Sequence, residues 1–183
     1  MAQMWRGNGA GYDEIPSMRV GNGPVGEMVK IKTWNGTAYV DRWIKPMVYR
    51  MQTTATLGGT GTSWLDIANW TVSSGYPYTL ISSNDLVIPA GLPVYRANLY
   101  AGGSISGGTA PRYGQLRIRV NGTVAVEGAQ ATGSPDTVSA FINSVDMTPG
   151  MMIDVQYRGE GNFFNRPTLA AGAYLSVTPV ALA

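Results

Sequence analysis

Apolar and polar side chains alternate with a period of two through much of this chain, most clearly in its last third. Gln115 to Val120 places Leu116, Ile118 and Val120 on one face and Arg117 and Arg119 on the other, as a strand with one buried and one wet face requires. Asn121-Gly122 follows at once, and Thr123 to Glu127 runs back. That dipeptide supplies the positive φ angles of a two-residue hairpin turn. Thr137 to Val145 repeats the alternation with Val138, Ala140 and Ile142, and Thr148-Pro149-Gly150 forms a turn. Met152 to Tyr157 then puts Ile153, Val155 and Tyr157 on one face, and Ala173 to Val180 is the closing strand. No helix period occurs in this part of the chain.

Upstream, the pattern predicts further strands over Met47 to Leu57, Trp64 to Val72, Tyr76 to Ile81, Leu86 to Ile88 and Val94 to Ala101. The connections are Gly58 to Gly61, Ser73-Ser74-Gly75, Ser82 to Asp85 and Pro89-Ala90-Gly91, and Gly102 to Pro111 reads as a flexible loop. About nine or ten strands after Pro46 suffice for an antiparallel two-sheet sandwich. Pro46 marks the boundary, with residues 1–46 as one unit and 47–183 as the other.

The first unit is different in kind. Gly7, Gly9, Gly11, Gly21, Gly23 and Gly26 interrupt regular structure, and Pro16 and Pro24 stiffen the chain, which is the composition of an extended arm. Trp5, Tyr12, Ile15 and Met18 are too apolar for a solvated linker, so the arm is expected to lie on a partner surface. Val29 to Ile44 encodes a second Asn-Gly hairpin, turning at Asn35-Gly36, and brings Trp34, Tyr39 and Trp43 to the same docking role.

Composition narrows the chemistry. The 183 residues contain neither cysteine nor histidine, which removes disulfides, thiolate nucleophiles, the commonest general base and the best transition-metal ligands. The N-terminus lacks the basic-then-apolar layout of a secretory signal, and no apolar run has the length of a membrane span. Charged residues make up 13% of the chain, about half the usual share, so the expected surface is one that is partly covered in an assembly. All three lysines lie in residues 1–46, which carry a net charge of +2, while residues 47–183 are neutral. That surplus is too small for a nucleic-acid footprint.

The order of motifs resembles the jelly roll shared by tumour necrosis factor and the complement globular head. Leu86-Val87-Ile88-Pro89-Ala90-Gly91-Leu92-Pro93-Val94-Tyr95-Arg96-Ala97-Asn98-Leu99 looks like that family's apolar strand, Pro, Gly, Tyr and next-strand stretch; Gln115 to Gly122 looks like its next hairpin. Val145 to Gly150 resembles its turn before a long strand, with Gly150-Met151 where the family usually has Gly-Asp, and Gly172 to Val177 resembles its closing strand. The resemblance implies a ten-strand sandwich assembling as a homotrimer, with Tyr157 and Tyr174 as candidates for the side chains facing the axis. Further upstream, Ile15 to Gly26 followed by the hairpin Val29 to Val40 resembles a module of minor tail proteins from phages of actinobacteria. Together these resemblances imply an all-β, non-enzymatic virion protein assembled in the host cytoplasm. An N-terminal arm and small β-hairpin (1–46) would dock on the tail or the major capsid protein, and a jelly roll (47–183) would trimerise.

Three other readings stand beside this one: a capsid decoration protein, a carbohydrate-binding module that contacts a host-surface glycan, and a carboxylate-type hydrolase. The last would rest on Glu127 with Asp136, or Asp146 with Asp154; all four are expected to be surface carboxylates instead. No phosphate-binding loop or calcium-loop motif is present, so neither a cofactor nor a metal is expected. Trp64 and Trp70 are expected in the core rather than on a sugar-binding surface.

Overall fold

The computed structural model describes residues 5–7, 12–14, 30–34, 37, 39–44, 46–59, 61–107, 112–133, 135–161 and 166–182. Among them every regular element is a strand. β1 (Trp5–Gly7) and β2 (Tyr12–Glu14) form one antiparallel pair, β3 (Lys30–Trp34) and β4 (Tyr39–Ile44) another. The β3–β4 hairpin is where the alternation around Asn35-Gly36 predicts it. The β1–β2 pair corrects the expectation that glycine excludes regular structure there: two three-residue strands form, and Gly7 itself pairs with Tyr12.

Twelve strands follow: β5 (Tyr49–Thr53), β6 (Leu65–Asp66), β7 (Trp70–Val72), β8 (Leu80–Ser82), β9 (Asp85–Val87), β10 (Tyr95–Ser106), β11 (Arg112–Val120), β12 (Thr123–Glu127), β13 (Asp136–Met147), β14 (Met152–Gly161), β15 (Thr168–Leu169) and β16 (Tyr174–Leu182). They make two antiparallel sheets ordered β13-β10-β16-β5-β7 and β12-β11-β14-β9-β8, with β15 beside β10 and β6 beside β14. The pairing is nested. β11 pairs with β12 across Asn121-Gly122, β10 with β13 outside them, β9 with β14 outside those, and β5 with β16 outermost. Successive pairs fall in alternate sheets, so a long hairpin is wound into a sandwich; this is the jelly-roll topology.

The core lies between the sheets and is built from strand parity. Tyr49 and Met51, Tyr95, Ala97, Leu99 and Ala101, Leu116 and Ile118, Val138 and Ala140, Ile153, Val155 and Tyr157, and Leu175 and Val177 all point inward and are buried. Thr53 joins them because its hydroxyl donates to the Ala68 carbonyl at 2.9 Å, which offsets the cost of burying it.

Where the elements differ from expectation, the reason is local. Trp64 to Val72 is two strands in different sheets: Asn69, at φ 57°, breaks the extended path between β6 and β7. Tyr76 to Thr79 is turn rather than strand, with the Thr79 amide donating to the Tyr76 carbonyl at 3.1 Å. Gly102 to Ser106 continues β10 instead of opening a loop. Its glycines serve close packing, since a Cβ on Gly103 would meet Ala173 and Leu169 at 2.8 and 2.9 Å. The turn between β8 and β9 has Ser83 and Asn84 at φ 52° and 71°, the same positive pair as Asn121 and Gly122 at 50° and 76°.

Gly128 is held against the backbone of β13, where an added Cβ would collide with the Ser139 carbonyl group. Backbone cannot yield as a side-chain tip can, so Gly128→Ala is expected to cost about 3 kcal/mol or more. Gly58→Ala, with nothing within 4 Å of the new methyl, should be near neutral; urea denaturation of both variants measures the contrast.

Candidate functional site

With Leu99 and Ala101 turned into the core, Tyr100 must face outward from the middle of its sheet. The register sets it beside Phe141 on β13 and Ser176 on β16, while Tyr174 lies beside Gln52 and Gly102. Gly102 lets the Tyr100 ring lie flat, because a Cβ there would come within 2.7 Å of the ring. So placed, Tyr100 stacks on Tyr174 with ring centroids 5.6 Å apart and planes 29° from parallel, and tilts against Phe141 at 6.3 Å. Arg50 closes the row with its guanidinium 3.8 Å from the Tyr174 centroid and 6.0 Å from that of Tyr76. Burial under its neighbours raises the Tyr174 hydroxyl above its ordinary pKa; the Tyr100 hydroxyl adds to the rise and Arg50 opposes it.

An aromatic and cationic row therefore crosses four strands, β13, β10, β16 and β5, on the outside of the sheet. Each ring pair contributes about 0.5–1.5 kcal/mol beyond burial, yet Phe141 remains 47% exposed. Val48, Val94 and Val180, at or next to the ends of β5, β10 and β16, are exposed as well.

The predicted site residues fare differently. Tyr174 stands in this row. Tyr157 does not: it shares parity with Ile153 and Val155, is 1% exposed, and donates its hydroxyl to the Pro167 carbonyl at 2.8 Å inside the sandwich. That corrects its assignment to an axis-facing surface, because a side chain filling the core of one copy has no free face for another. Trp5 lies on β1, Tyr12 on β2, Trp34 on β3, and Tyr39 and Trp43 on β4; Ile15 and Met18 fall outside the described residues. Sequence reading missed Tyr100, Phe141 and Arg50. The signal was there, since Phe141 alternates with Ala140 and Ile142 and shares its face with polar Ser139 and Thr137.

The outer face of the other sheet is a polar ladder. Facing residues of β11 and β14 bond in register: Arg119 Nε to Asp154 at 2.7 Å, Arg117 to Gln156 at 2.6 Å, and Arg158 to Gln115 at 2.6 Å. Asp66, brought alongside by β6, accepts from both Arg119 and Gln156, at 2.7 and 2.6 Å. Trp64 is only partly buried and lies 4.4 and 4.9 Å from the guanidiniums of Arg117 and Arg158. It is thus a cover on this ladder and not a core residue, whereas Trp70 is in the core as expected.

Beside the ladder a cavity of about 360 Å³ opens between the β8–β9 and β11–β12 turns and β6. Asp66, Asp85, Asp154, Arg119, Asn84 and Asn121 supply its polar wall. The Asp85 carboxyl is raised above its ordinary pKa by desolvation first, then by Asp154 and Asp66, with Arg119 opposing. Of the carboxylates considered for hydrolysis, Asp146 and Asp154 lie on different sheets: Asp146 bonds Arg96 at 3.3 Å on β13 of one, and Asp154 faces outward from the other. Glu127 contacts Arg117 at 3.3 Å, while Asp136 accepts from the Gly133 and Thr137 amides. Among the described residues no three acidic side chains are grouped closely enough to hold a metal ion.

No protein-family model matches this chain, and no curated protein matches it. Among solved structures it is similar to the Eiger TNF of S. frugiperda, with a TM-score of 0.49 and 10% identity over 75% of this chain and 94% of that one. It is also similar to the CBM36-1 domain of a multidomain xylanase from the hindgut metagenome of Trinervitermes trinervoides, at 0.38 and 13% over 73% and 98%. The jelly roll itself is read from the nested strand pairing.

Because the fold raises the pKa of Asp85, its ionisation opposes folding at neutral pH. Asp85→Asn should therefore raise the unfolding midpoint at pH 7. The gain should shrink as pH falls through the raised pKa and vanish below about 3.9, the ordinary value for Asp, where the carboxyl is protonated in both states. Thermal unfolding across that range measures it.

Proposed function

We propose that this chain is a non-enzymatic structural protein of a phage virion, a minor tail component whose jelly roll forms a homotrimer and whose residues 1–46 dock on neighbouring virion proteins. The observation that carries the reading is the row Phe141, Tyr100, Tyr174 and Arg50 on an outer sheet face. Rings held in register on the outside of a sheet contribute little to the core they flank. They become useful when a second copy covers them and removes them from water, at about 25 cal/mol per Å² of apolar surface. The low charge content, 13%, supports the same reading, since charged residues are depleted where subunits meet. The resemblance to trimeric jelly rolls supplies the copy number, and the resemblance of the first 46 residues to a phage tail module supplies the setting.

Two experiments test the two halves. Light scattering on the purified chain should give a mass three times 19.5 kDa. Tyr100→Ser with Phe141→Ser should weaken assembly by about 100-fold or more, as loss of central aromatic anchors does, while leaving the β-sheet circular dichroism unchanged. A monomeric parent chain would refute the assembly. Deleting residues 1–46 should abolish incorporation into particles and leave the trimer intact. Gold-labelled antibody against residues 47–183 should decorate the tail; labelling of the head would reassign the trimer to capsid decoration, and unlabelled virions would end the virion reading.

A further inference from the structure

We infer that the cavity beside the polar ladder is a binding site for a saccharide, of one or two sugar rings, separate from the aromatic face. At about 360 Å³ it lies at the small end of ligand pockets, which run from roughly 300 to 1,000 Å³. Its lining has two kinds of surface. Met152, whose side chain is exposed, forms an apolar side, and Asp66, Asp85, Asp154, Arg119, Asn84 and Asn121 form a polar one; Ile67 and Val155 border the cavity but are buried in the core. A ligand that fits both presents C–H groups to one wall and hydrogen-bonding groups to the other, as a sugar ring does.

The polar side specifies what those groups must be. Arg119 is committed to Asp66 and Asp154, and the Asn121 side-chain oxygen already accepts the Met152 amide at 3.0 Å. The remaining capacity consists of carboxylate oxygens, which accept, and of the Asn84 and Asn121 amide groups, which also donate, so the ligand must bring groups that both donate and accept. Hydroxyl groups do this without bringing charge. Phosphates and carboxylates are excluded by three acidic side chains facing one arginine. Among the described residues no group of three acidic side chains is placed to hold a metal ion. The site is also built in advance: Arg119 is clamped by two carboxylates, and both turns that rim the cavity are tight two-residue turns with positive φ at each central residue. Preorganisation of this kind spares a ligand the cost of ordering the site.

The test is titration of the ¹⁵N-labelled full chain with methyl glycosides of glucose, galactose and N-acetylglucosamine and with a disaccharide, n-butylammonium serving as the cationic control. At least one saccharide should shift the amides of Ser83 to Asp85 and of Asn121, Gly122 and Met152 saturably, with Kd about 1 mM, the affinity that roughly 4 kcal/mol supports. Asp85→Asn, which the raised pKa of Asp85 marks as a variant that should fold at least as well as the parent, should weaken binding about tenfold through loss of one charged acceptor. Absence of shifts with every saccharide would overturn the assignment, as would equal shifts with n-butylammonium. Shifts confined to Tyr100, Phe141 and Tyr174 would also overturn it, by moving sugar binding to the other face. Since the cavity and the aromatic row lie on different sheets, each of these outcomes leaves the assembly test undisturbed.

Discussion

The structure depends on one constraint: in a strand, successive side chains point to opposite faces, and both sheets draw their inner faces from a single core. Once Leu99 and Ala101 are buried, the orientation of Tyr100 is no longer free. The same holds for Phe141 between Ala140 and Ile142, and for Arg119 and Asp154 between buried neighbours on β11 and β14. The outer surfaces are thus consequences of the core. A one-residue slip in either sheet would send the aromatic row inward and the ladder's charges into the apolar interior.

Nested pairing carries that local rule across the whole sandwich. The long hairpin alternates its strand pairs between sheets, so residues far apart in the chain share a row. Tyr174 on the last strand meets Gln52 from the first strand of the sandwich and Gly102 from β10. The pocket forms in the same way, from two hairpin turns and β6. Glycine assists at contacts where a methyl group would intrude: Gly102 makes room for a ring, and Gly128 for a neighbouring strand.

The two outer faces differ in chemistry. One carries rings, the Arg50 guanidinium over them, exposed valines and the exposed Arg96–Asp146 pair. The other satisfies its charges internally: each arginine of the ladder meets a carboxylate or an amide of the facing strand or of β6. A surface that has already paired its charges gains little from a charged partner, and the adjoining cavity adds the amide groups of Asn84 and Asn121 and the Asp85 carboxyl.

The sequence by itself determined the strands of the last third, the Asn-Gly turns, the all-β class and most of the core, because period and turn chemistry are local properties. It also placed Ile153, Val155 and Tyr157 together on one face. Only the tertiary structure decided that this face was the inner one, which is why Tyr157 proved to be core. Only it could show that the glycines of 102–106 are strand, since the signal for a loop and the signal for close packing are the same residue. Only it joined Tyr100, Phe141 and Arg50 into a row and Asp66, Asp85 and Asp154 around a cavity. Such sites arise from register between strands that are distant in sequence, and alternation within a strand carries no record of its neighbour.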